Sequence, residues 1–456
     1  MSTNDHNSSM LVLFARYPEK GTGKRRIARD LGDAHTHLVA KHLYVNGWSD
    51  LLRWPGPTAV STTRPHYLED DGPFPAKRID DFVIQTGDNL GQRIQDTENK
   101  LRRKHNGPLI FIGSDSPELK QEHFEQASHL LETHDVVLGP AMDGGVTLMG
   151  VRDHWPPLDD LPWSTDRLFT ELRQRCRDHM LSVALLEPTH DTDDVYDLLR
   201  IRQSLEKDWR PDRRNLHTLM TRMFPSVGVV IPAKNDALQV ATLLQQLEMQ
   251  GVDRVIVVDA EHDPLTAQRC YRHGATYLEG GSSRGERMDI GAGHLRTEVL
   301  WFLHADTRLP DGAADELRLH IVRGNSGGWF RFRFDGKPGR GKSLLERCIN
   351  WRARLGTPYG DQGLFVSRTA YHETGGLTHQ PLFEEVRMVR RLRRQDFKFA
   401  PVKLSIGVSE RRWQQDGWIR RTLSNRWLAL QYMCGVKPER LAARYHGKRP
   451  DKSEPS

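Results

Sequence analysis

The first half of the chain alternates short apolar runs with longer polar stretches. The runs have the length and composition of buried strands, and they occupy residues 11–15, 82–85, 109–112, 136–138 and 181–186. The polar stretches between them are long enough to be helices. Because strands that alternate with helices usually form a mostly parallel sheet, this half is predicted to be an α/β domain.

The second half of the chain restarts the same pattern. Its apolar runs lie at residues 227–232, 254–259, 299–303 and 329–334. In the last run phenylalanine alternates with arginine, which indicates a strand with one exposed face and predicts antiparallel pairing. Sequence identity between the halves is not visible, so the predicted repeat is one of architecture and not of motif.

These patterns predict an α/β fold of two tandem Rossmann-like domains, each with a mostly parallel sheet flanked by helices. The length of 456 residues agrees, since one hydrophobic core usually serves about 100–200 residues. The domains are expected at residues 10–205 and 226–446, joined by a charged linker at 206–225 that carries no strand signal. Residues 1–9 and 447–456 are predicted to be disordered tails.

The composition is that of an ordinary enzyme, with 37% hydrophobic and 28% charged residues. A net charge of +6, from 66 basic and 60 acidic residues, is too small to favour a nucleic-acid partner. The four cysteines show no CxxC spacing, which argues against structural zinc or a disulfide framework. The polar start and the lack of a long apolar run predict a cytoplasmic location.

Basic residues are concentrated late in the chain, at 387–394 and 411–452, where they are interleaved with Trp, Leu and Tyr. Such a segment could make peripheral contact with an anionic membrane surface. The alternative is a solvated helical face whose apolar side packs on the last domain.

Polar residues directly after apolar runs are the first candidates for a site, because ligands bind beyond the carboxyl ends of strands in open α/β sheets. In the second half these are the sequence PAKND from Pro232, then Asp259, and the sequence HADT that contains Asp306. A carboxylate such as Asp306 suits a hard divalent cation that bridges two phosphates. A helix N-cap is the alternative role for the same residue.

Six motifs in the second half occur in a characteristic order: VVIPAKND, VIVVDA, RGERMDIGA, LWFLHADTRLP, YGDQGLFV and PLFEE. Together they resemble the family 2 glycosyltransferases, and more narrowly the radical-SAM/selenodomain-associated transferase 2 family, over residues 225–446. The resemblance implies a GT-A-like fold, Mg²⁺ or Mn²⁺ as cofactor and a nucleotide-sugar donor. The acceptor, a small metabolite, a lipid or a glycan, is left open.

The resemblance also implies roles for individual residues of the donor site. Asp259 would hold the nucleobase or ribose, Arg284 and Arg287 would lie near the diphosphate, and Asp306 would bind the metal. Two residues of the first motif, Pro232 and Asn235, would belong to the same donor site. Where relatives commonly have Asp-Gly-Gly-Ser, residues 259–263 read DAEHD, which leaves the donor base and sugar open.

Transfer with inversion requires a general base that takes the proton of the acceptor hydroxyl. The resemblance places this role on Glu384 or Glu385, without separating them. The family usually has Glu-Asp there, so Glu385 is one methylene longer than the common residue. Asp361 and Gln362 are expected to contact the acceptor or the donor sugar, because a carboxylate and an amide can bind sugar hydroxyls.

The first half carries its own candidates. Asp115 follows an apolar run and is a metal candidate, and Asp143 stands next to two glycines that permit close approach of a ligand. Lys24 and Arg26 lie in a glycine-containing loop after the first run, where phosphate could bind. A basic surface loop and a tight turn without ligand are the alternatives.

The motifs FARYPEKGTGKRR, QTGDNLGQR, GSDSPEL, GPAMDGG, PWSTDRL and HDTDDVYDL resemble the radical-SAM/selenodomain-associated transferase 1 family over residues 10–200. That family is similar to nucleotidyltransferases such as phospholactate guanylyltransferase and the molybdenum-cofactor guanylyltransferases. The resemblance implies that Asp115 and Asp193 flank a metal and that Lys24 contacts phosphates. The chain is therefore predicted to be a fusion of two such enzymes.

The predicted function is bifunctional sugar transfer. The second domain would transfer a sugar from its nucleotide donor, and the first would carry out nucleotidyl or glycosyl transfer. In the alternative, the first domain alone is a nucleotidyltransferase and the second recognises a glycan or lipid. The first domain could also be a binding or scaffolding module without catalysis.

Overall fold

The computed structural model describes residues 8–64, 78–336, 339–410, 413 and 417–445. The chain divides into two compact units, Met1–Met223 and Phe224–Ser456. Of the predicted tails, residues 1–7 and 447–456 lie outside the described part. Ser9 is buried, and its carbonyl oxygen accepts a hydrogen bond from the Trp54 indole at 3.1 Å. No described helix has both the length and the hydropathy needed to cross a membrane.

The first unit contains a seven-stranded sheet. Its strands are β1 (Met10–Phe14), β2 (Thr58–Thr62), β3 (Asp81–Ile84), β4 (Leu109–Ile112), β5 (Val136–Pro140), β6 (Val146–Val151) and β7 (Val183–Leu185). They lie in the order β3-β2-β1-β4-β6-β5-β7. All neighbours are parallel except β6, which is antiparallel to both β4 and β5.

Helices cover both faces of this sheet. They are α1 (Arg25–Arg53), α2 (Leu90–Arg102), α3 (Gln121–Leu130), α4 (Leu168–Asp178), α5 (Val195–Ser204) and α6 (Pro211–Met223). One core joins the sheet to α2 and α4 through residues such as Ile94 and Leu172. The other joins it to α1 and α3 through Trp48 and Phe124. Burial on both faces explains why the strands read as continuous apolar runs.

The segment predicted to be a linker is instead largely helical. Residues 211–223 form α6, which packs on α1 within the first unit. Arg213 is 1% exposed and donates to Asp50 Oδ2 at 2.6 Å and to the Pro117 carbonyl at 3.0 Å. The charged residues that suggested a solvated linker are thus partly buried in ion pairs, and a pattern of charge alone does not distinguish these two cases.

The second unit contains another seven-stranded sheet. Its strands are β8 (Val227–Ala233), β9 (Arg254–Asp259), β10 (Thr276–Glu279), β11 (Val299–Phe302), β12 (Gly327–Phe334), β13 (Phe365–Ser367) and β14 (Phe399–Val408). Their order is β10-β9-β8-β11-β13-β12-β14. Here β13 is the antiparallel strand, so β12 pairs antiparallel with β13 but parallel with β14. The phenylalanines of β12 are buried and its two arginines exposed, as predicted.

The helices of the second unit also lie on both faces of its sheet. They are α7 (Ala237–Met249), α8 (Pro264–Arg272), α9 (Arg284–His294), α10 (Ala313–Val322), α11 (Arg340–Leu355), α12 (Arg368–Glu373), α13 (Val386–Arg394), α14 (Trp418–Met433) and α15 (Pro438–Tyr445). One core contains residues of α7 and α10, and another contains residues of α9, α12 and α13.

The two units have the same strand order. In each unit the sixth strand, β6 or β13, is antiparallel to the fourth, β4 or β11. The seventh strand of each unit lies at the edge of its sheet. The prediction of two tandem α/β units with mostly parallel sheets and repeated architecture is confirmed.

Candidate functional site

Two buried glutamates form the centre of the candidate site in the second unit. Glu384 and Glu385 directly precede α13 and are 0% and 2% exposed. Arg284, the first residue of α9, donates from Nε to Glu384 Oε1 at 2.5 Å. The Gly360 N–H donates to Glu385 Oε1 at 3.0 Å. In the described part of the chain, Oε2 of each glutamate has no hydrogen-bond partner.

The two glutamates differ electrostatically. Burial, and then the neighbouring Glu384, raise the pKa of Glu385 above its ordinary value, and Arg284 only partly opposes this. Glu384 instead has the guanidinium of Arg284 as a direct ionic partner. The pair therefore combines one glutamate in direct contact with an arginine and one carboxyl group whose pKa is raised.

Asp361 belongs to the same cluster. Its pKa is raised by burial and by the charge of Asp306, while Arg352 and Arg284 lower it. Its Oδ1 is buried without a hydrogen-bond partner among the described residues. Gln362 is fully buried, and its amide accepts from the Tyr359 N–H and donates to the Phe330 carbonyl. The structure thus uses Gln362 to hold the turn, and places Asp361 beside the glutamates.

The predicted donor residues lie along the carboxyl edge of the parallel strands. Asp259 ends β9 and is fully buried, and it accepts from the Asp263 N–H at 2.8 Å and the Tyr277 hydroxyl at 3.2 Å. Pro232 is buried within β8. Asn235 follows that strand, is exposed, and has a left-handed backbone with φ of 56°.

Arg287 is folded against the loop before α9. It is 7% exposed, and its Nη1 donates to the Gly281 carbonyl at 3.0 Å. Burial, followed by the charge of Arg284, lowers its pKa, whereas Asp259 raises it. Its Nε has no hydrogen-bond partner within the described residues. The charge of Arg287 is therefore felt by both the strand-end Asp259 and Arg284, without a direct bond to either.

The first unit brings three aspartates together. Oxygens of Asp143, Asp191 and Asp193 lie within 4.8 Å of one another, the only such group of three or more potential metal ligands in the described part of the chain. Burial and the charges of Asp143 and Asp193 raise the pKa of Asp191 to about 7. Asp191 was not among the predicted residues, although the acidic run HDTDDVYDL signalled it. Among the described residues no comparable group surrounds Asp306, which is exposed.

The predicted phosphate residues lie at the same place. Lys24 Nζ is 2.9 Å from Asp115 Oδ1 and donates to the Thr192 carbonyl at 2.6 Å. Arg26 is 3.6 Å from Asp193. Burial raises the pKa of Asp193; the charge of Lys24 partly opposes this, and that of Asp115 adds to it. Basic and acidic groups from distant parts of the unit therefore share one edge of the sheet.

The turn before α2 has a specific geometry. Asn89 caps the helix by accepting from the Gln92 N–H, and Arg93 Nε donates to the Gly87 carbonyl at 2.9 Å. At Gly91 a Cβ atom would lie 2.0 Å from the Leu158 carbonyl oxygen, so only glycine fits there.

The turn before α9 repeats this geometry. Ser283 caps the helix by accepting from the Glu286 N–H, and Arg287 donates to Gly281 as described above. At Gly285 a Cβ atom would lie 2.1 Å from the Thr378 carbonyl oxygen. The sequences NLGQR and SRGER therefore occupy equivalent positions in the two units. The structure thus extends the repeat from architecture to this motif.

A cavity of about 240 Å³ in the first unit adjoins the repeated turn. Its lining includes residues after β1, after β3 and on α2, together with apolar residues of β4 and β6. Those with polar side chains are Arg16, Gln85, Arg93 and Thr147, and the aromatic ones are Phe14, Phe111 and Trp163. Sequence analysis did not identify this cavity, because its walls come from five separate segments.

Comparison with known proteins gives limited matches. The profile of a family described as an uncharacterized protein conserved in bacteria (DUF2064) matches residues 60–165, less than half of the chain. No curated protein matches the sequence.

Similar solved structures have low identity. A "putative nucleotide-diphospho-sugar transferase" from Desulfovibrio desulfuricans G20 is 24% identical, with a TM-score of 0.42, covering 47% of this chain and 98% of that one. A mannosyltransferase from Pyrobaculum calidifontis in complex with GDP-Man and Mn²⁺ is 17% identical, with a TM-score of 0.37 and coverage of 55% and 75%. Mannosyl-3-phosphoglycerate synthase from Rubrobacter xylanophilus is 16% identical, with a TM-score of 0.32 and coverage of 57% and 81%.

Proposed function

We propose that the second unit transfers a sugar from a nucleotide-sugar donor to an acceptor hydroxyl. The observation that carries this proposal is the cluster of Asp361, Glu384 and Glu385 beside Arg284. Each of these three carboxyl groups has a buried oxygen without a hydrogen-bond partner in the described part of the chain. Buried polar atoms are normally paired, so three together favour a site that a hydroxyl-bearing ligand completes.

Within this cluster, Glu385 is the better candidate for the general base. Its raised pKa gives a carboxylate that binds a proton strongly, whereas Oε1 of Glu384 is already occupied by the ion pair with Arg284. In the proposed step the acceptor oxygen bonds to the anomeric carbon while the bond to the diphosphate breaks. The hydroxyl proton passes to Glu385 Oε2, and inversion of the anomeric centre follows.

Arg284, Arg287 and Asp306 are proposed to hold the donor diphosphate and its divalent cation. The oxygen ligands available there fit a hard cation. Asp306 offers an exposed carboxylate, and it lies close enough to Asp361 to raise the pKa of Asp361. A bound Mg²⁺ or Mn²⁺ would supply positive charge that offsets the charge of the leaving diphosphate. Arg287 would orient the phosphates from the loop that it holds at Gly281.

The first unit is proposed to carry out nucleotidyl or glycosyl transfer. The support is the group of Asp143, Asp191 and Asp193, in which burial and then the charges of its two neighbours raise the pKa of Asp191 to about 7. Oxygen ligands at this spacing fit a divalent cation, and the neighbouring Lys24 fits a phosphate. With two such sites the chain would be bifunctional.

Donor hydrolysis tests the activity of the second unit. The full chain is incubated with Mn²⁺ and a panel of nucleotide sugars that includes UDP-glucose and GDP-mannose, and release of the nucleoside diphosphate is followed. Asp306→Asn should abolish slow hydrolysis of one donor. Asp311→Asn, at an exposed aspartate nearby, should not. Turnover that survives in Asp306→Asn would reject the assignment of Asp306.

A second assay addresses the first unit. Nucleoside triphosphates are supplied with sugar phosphates, and pyrophosphate release is measured for the wild type, Asp115→Ala and Asp193→Asn. Release that depends on both aspartates supports nucleotidyl transfer. No release, with Mn²⁺ binding unaffected by either change, would favour a binding or scaffolding module.

A further inference from the structure

Helix α11 carries a stripe of apolar side chains that is exposed in the described part of the chain. Leu344, Trp351 and Leu355 are 63%, 67% and 68% exposed. Their spacing of seven and four residues places them on one side of the helix. The opposite side packs on β12, where Asn350 exchanges two hydrogen bonds with the Phe332 backbone. The exposed stripe is therefore not needed to hold the helix in place.

Helix α14 has a stripe of the same composition. Leu423, Trp427 and Leu430 are 62%, 60% and 46% exposed, at a spacing of four and three residues. Leu428, on another side of the helix, is buried. Exposed tryptophan flanked by exposed leucine occurs singly on many proteins, but here two helices of one unit repeat it.

The beginnings of these two helices are in contact. Lys342 of α11 lies over the Trp418 ring of α14, with its Nζ 5.4 Å from the ring centroid. Lys342 also forms an ion pair with Glu410, and the Trp418 ring packs edge-on against Phe334 of β12 at 5.0 Å. Both helices thus contact the end of β12, α11 through the bond from the Phe334 N–H to Glu346 and α14 through Trp418.

A chain of aromatic contacts joins the two helices at their other ends. Arg352 of α11 stacks on the Tyr359 ring at 3.9 Å, and Tyr359 contacts Phe383 at 5.6 Å. Phe383 in turn packs on Tyr432 of α14 at 4.6 Å. Contacts near both ends therefore link α11 to α14, directly where the helices begin and through Tyr359 and Phe383 at their other ends.

The charge of the two helices is strongly positive. Together they hold eight Lys and Arg residues and a single acidic residue, Glu346, a net charge of +7. The whole chain has a net charge of +6, so the remainder is slightly acidic. Arg347, Arg354, Arg420 and Arg426 are exposed, and none has an acidic partner among the described residues. Positive charge and exposed apolar side chains therefore coincide.

We propose that this surface docks on a membrane that contains anionic lipids. Tryptophan and leucine enter the interface between headgroups and acyl chains, and arginine binds lipid phosphates, so the composition fits such a partner. The two-helix surface comprises Leu344, Arg347, Trp351, Arg354 and Leu355 of α11 and Arg420, Leu423, Arg426, Trp427 and Leu430 of α14. A second copy of the chain is a poorer partner, because a two-fold interface would oppose the same arginines.

Docking would also place the candidate site near the membrane. Phe383, which contacts Tyr432 of α14, directly precedes Glu384. A lipid-borne acceptor hydroxyl would then approach Glu385 from the side of α14. This last step rests on the proposed function, whereas docking itself does not.

Co-sedimentation with vesicles tests the proposal. The full chain is mixed with phosphatidylcholine vesicles made with or without phosphatidylglycerol, and the bound fraction is measured. Binding should require phosphatidylglycerol and weaken as salt is added. Trp351→Ser combined with Trp427→Ser should weaken binding roughly tenfold or more. Trp209→Ser removes an even more exposed tryptophan of the first unit, 81% exposed, and should leave binding unchanged.

A second variant separates charge from apolar contact. Arg347→Glu with Arg354→Glu should weaken binding to phosphatidylglycerol, whereas Arg177→Glu, at an exposed position of α4, should not. Circular dichroism verifies that each variant is folded. Donor hydrolysis in solution should persist in all of them, so a failure to dock and a failure of the proposed activity are distinguished.

Three results would overturn the proposal. The first is a wild-type chain that does not bind vesicles with phosphatidylglycerol. The second is binding that the tryptophan pair does not affect. The third is a concentration-dependent dimer that the tryptophan pair abolishes, which would assign the two-helix surface to self-association.

Discussion

Two glycines of α9 provide a stringent test of the site geometry, because the same substitution should have opposite effects at each. At Gly285 a new Cβ atom would lie 2.1 Å from the Thr378 carbonyl oxygen and 2.9 Å from Glu384 Cβ. The first of these atoms belongs to the backbone and cannot move aside cheaply. At Gly293, in the last turn of the same helix, a Cβ atom would meet no atom within 4 Å.

The magnitudes follow from these distances. Gly285→Ala should destabilise the protein by about 1–3 kcal/mol, as forced overpacking does. For a unit of this size the melting temperature should fall by roughly 3–10 °C. Gly293→Ala should instead stabilise it by about 0.5 kcal/mol, since alanine restricts the unfolded chain and favours helix. Gly91→Ala in the first unit should resemble Gly285→Ala, because its Cβ would lie 2.0 Å from the Leu158 carbonyl.

The assay is thermal unfolding of the full chain followed by circular dichroism, together with donor hydrolysis. Gly285→Ala should also reduce hydrolysis, because the backbone at Thr378 and the side chain of Glu384 must shift away from Arg284. Equal tolerance of alanine at Gly285 and Gly293 would refute the described packing of α9 against residues 378–384.

Three further predictions concern protonation and buried charge. Glu385→Gln should lower the rate of transfer by about 100-fold or more. In the wild type the rate should rise with pH as Glu385, whose pKa is raised, loses its proton, and the variant should lack this rise. Binding of Mn²⁺ to the first unit should be tighter at pH 8 than at pH 6 in calorimetry, because Asp191 has a pKa of about 7 and binds as the carboxylate. Arg213→Met should destabilise the first unit by about 3 kcal/mol in urea unfolding, because Asp50 would stay buried without its main partner. Arg214→Met, at the exposed neighbouring residue, should have little effect.

Each of these has a clear contrary result. A Glu385→Gln variant with the wild-type pH profile would remove that residue from proton transfer. A pH-independent affinity for Mn²⁺ would separate Asp191 from the metal site. Equal losses of stability in Arg213→Met and Arg214→Met would mean that the ion pair beneath α6 contributes little.

Most of the strands that the sequence did not predict are short or contain polar residues among the apolar ones. β13 has only three residues, and β14 contains Pro401, Lys403 and Ser405, so neither shows a continuous apolar run. β14 lies at the edge of the sheet, where one side needs no partner strand and a proline is tolerated. By contrast β4 was predicted with its observed bounds, because it is buried on both faces.

The candidate residues show the same division. Asp115 and Asp306 were chosen as candidates because they follow apolar strands, and the carboxyl ends of parallel strands share one edge. Asp191 was missed, since nothing local distinguishes it from the other acids of its run. For Gln362 a contact to the acceptor or the donor sugar stays a prediction, and the structure adds that its amide bonds to the Tyr359 N–H and the Phe330 carbonyl.

The sequence by itself determined the two α/β units, their repeated architecture and the edge of each sheet at which polar residues gather. These properties are local, because periodicity and the order of strands and helices are written along the chain. The tertiary structure alone decided which carboxyl groups are buried, which of their oxygens have partners, and that α6 belongs to the first unit. Those properties depend on contacts between residues far apart in sequence, as Arg284 and Glu384 show, and on the burial that shifts their electrostatics.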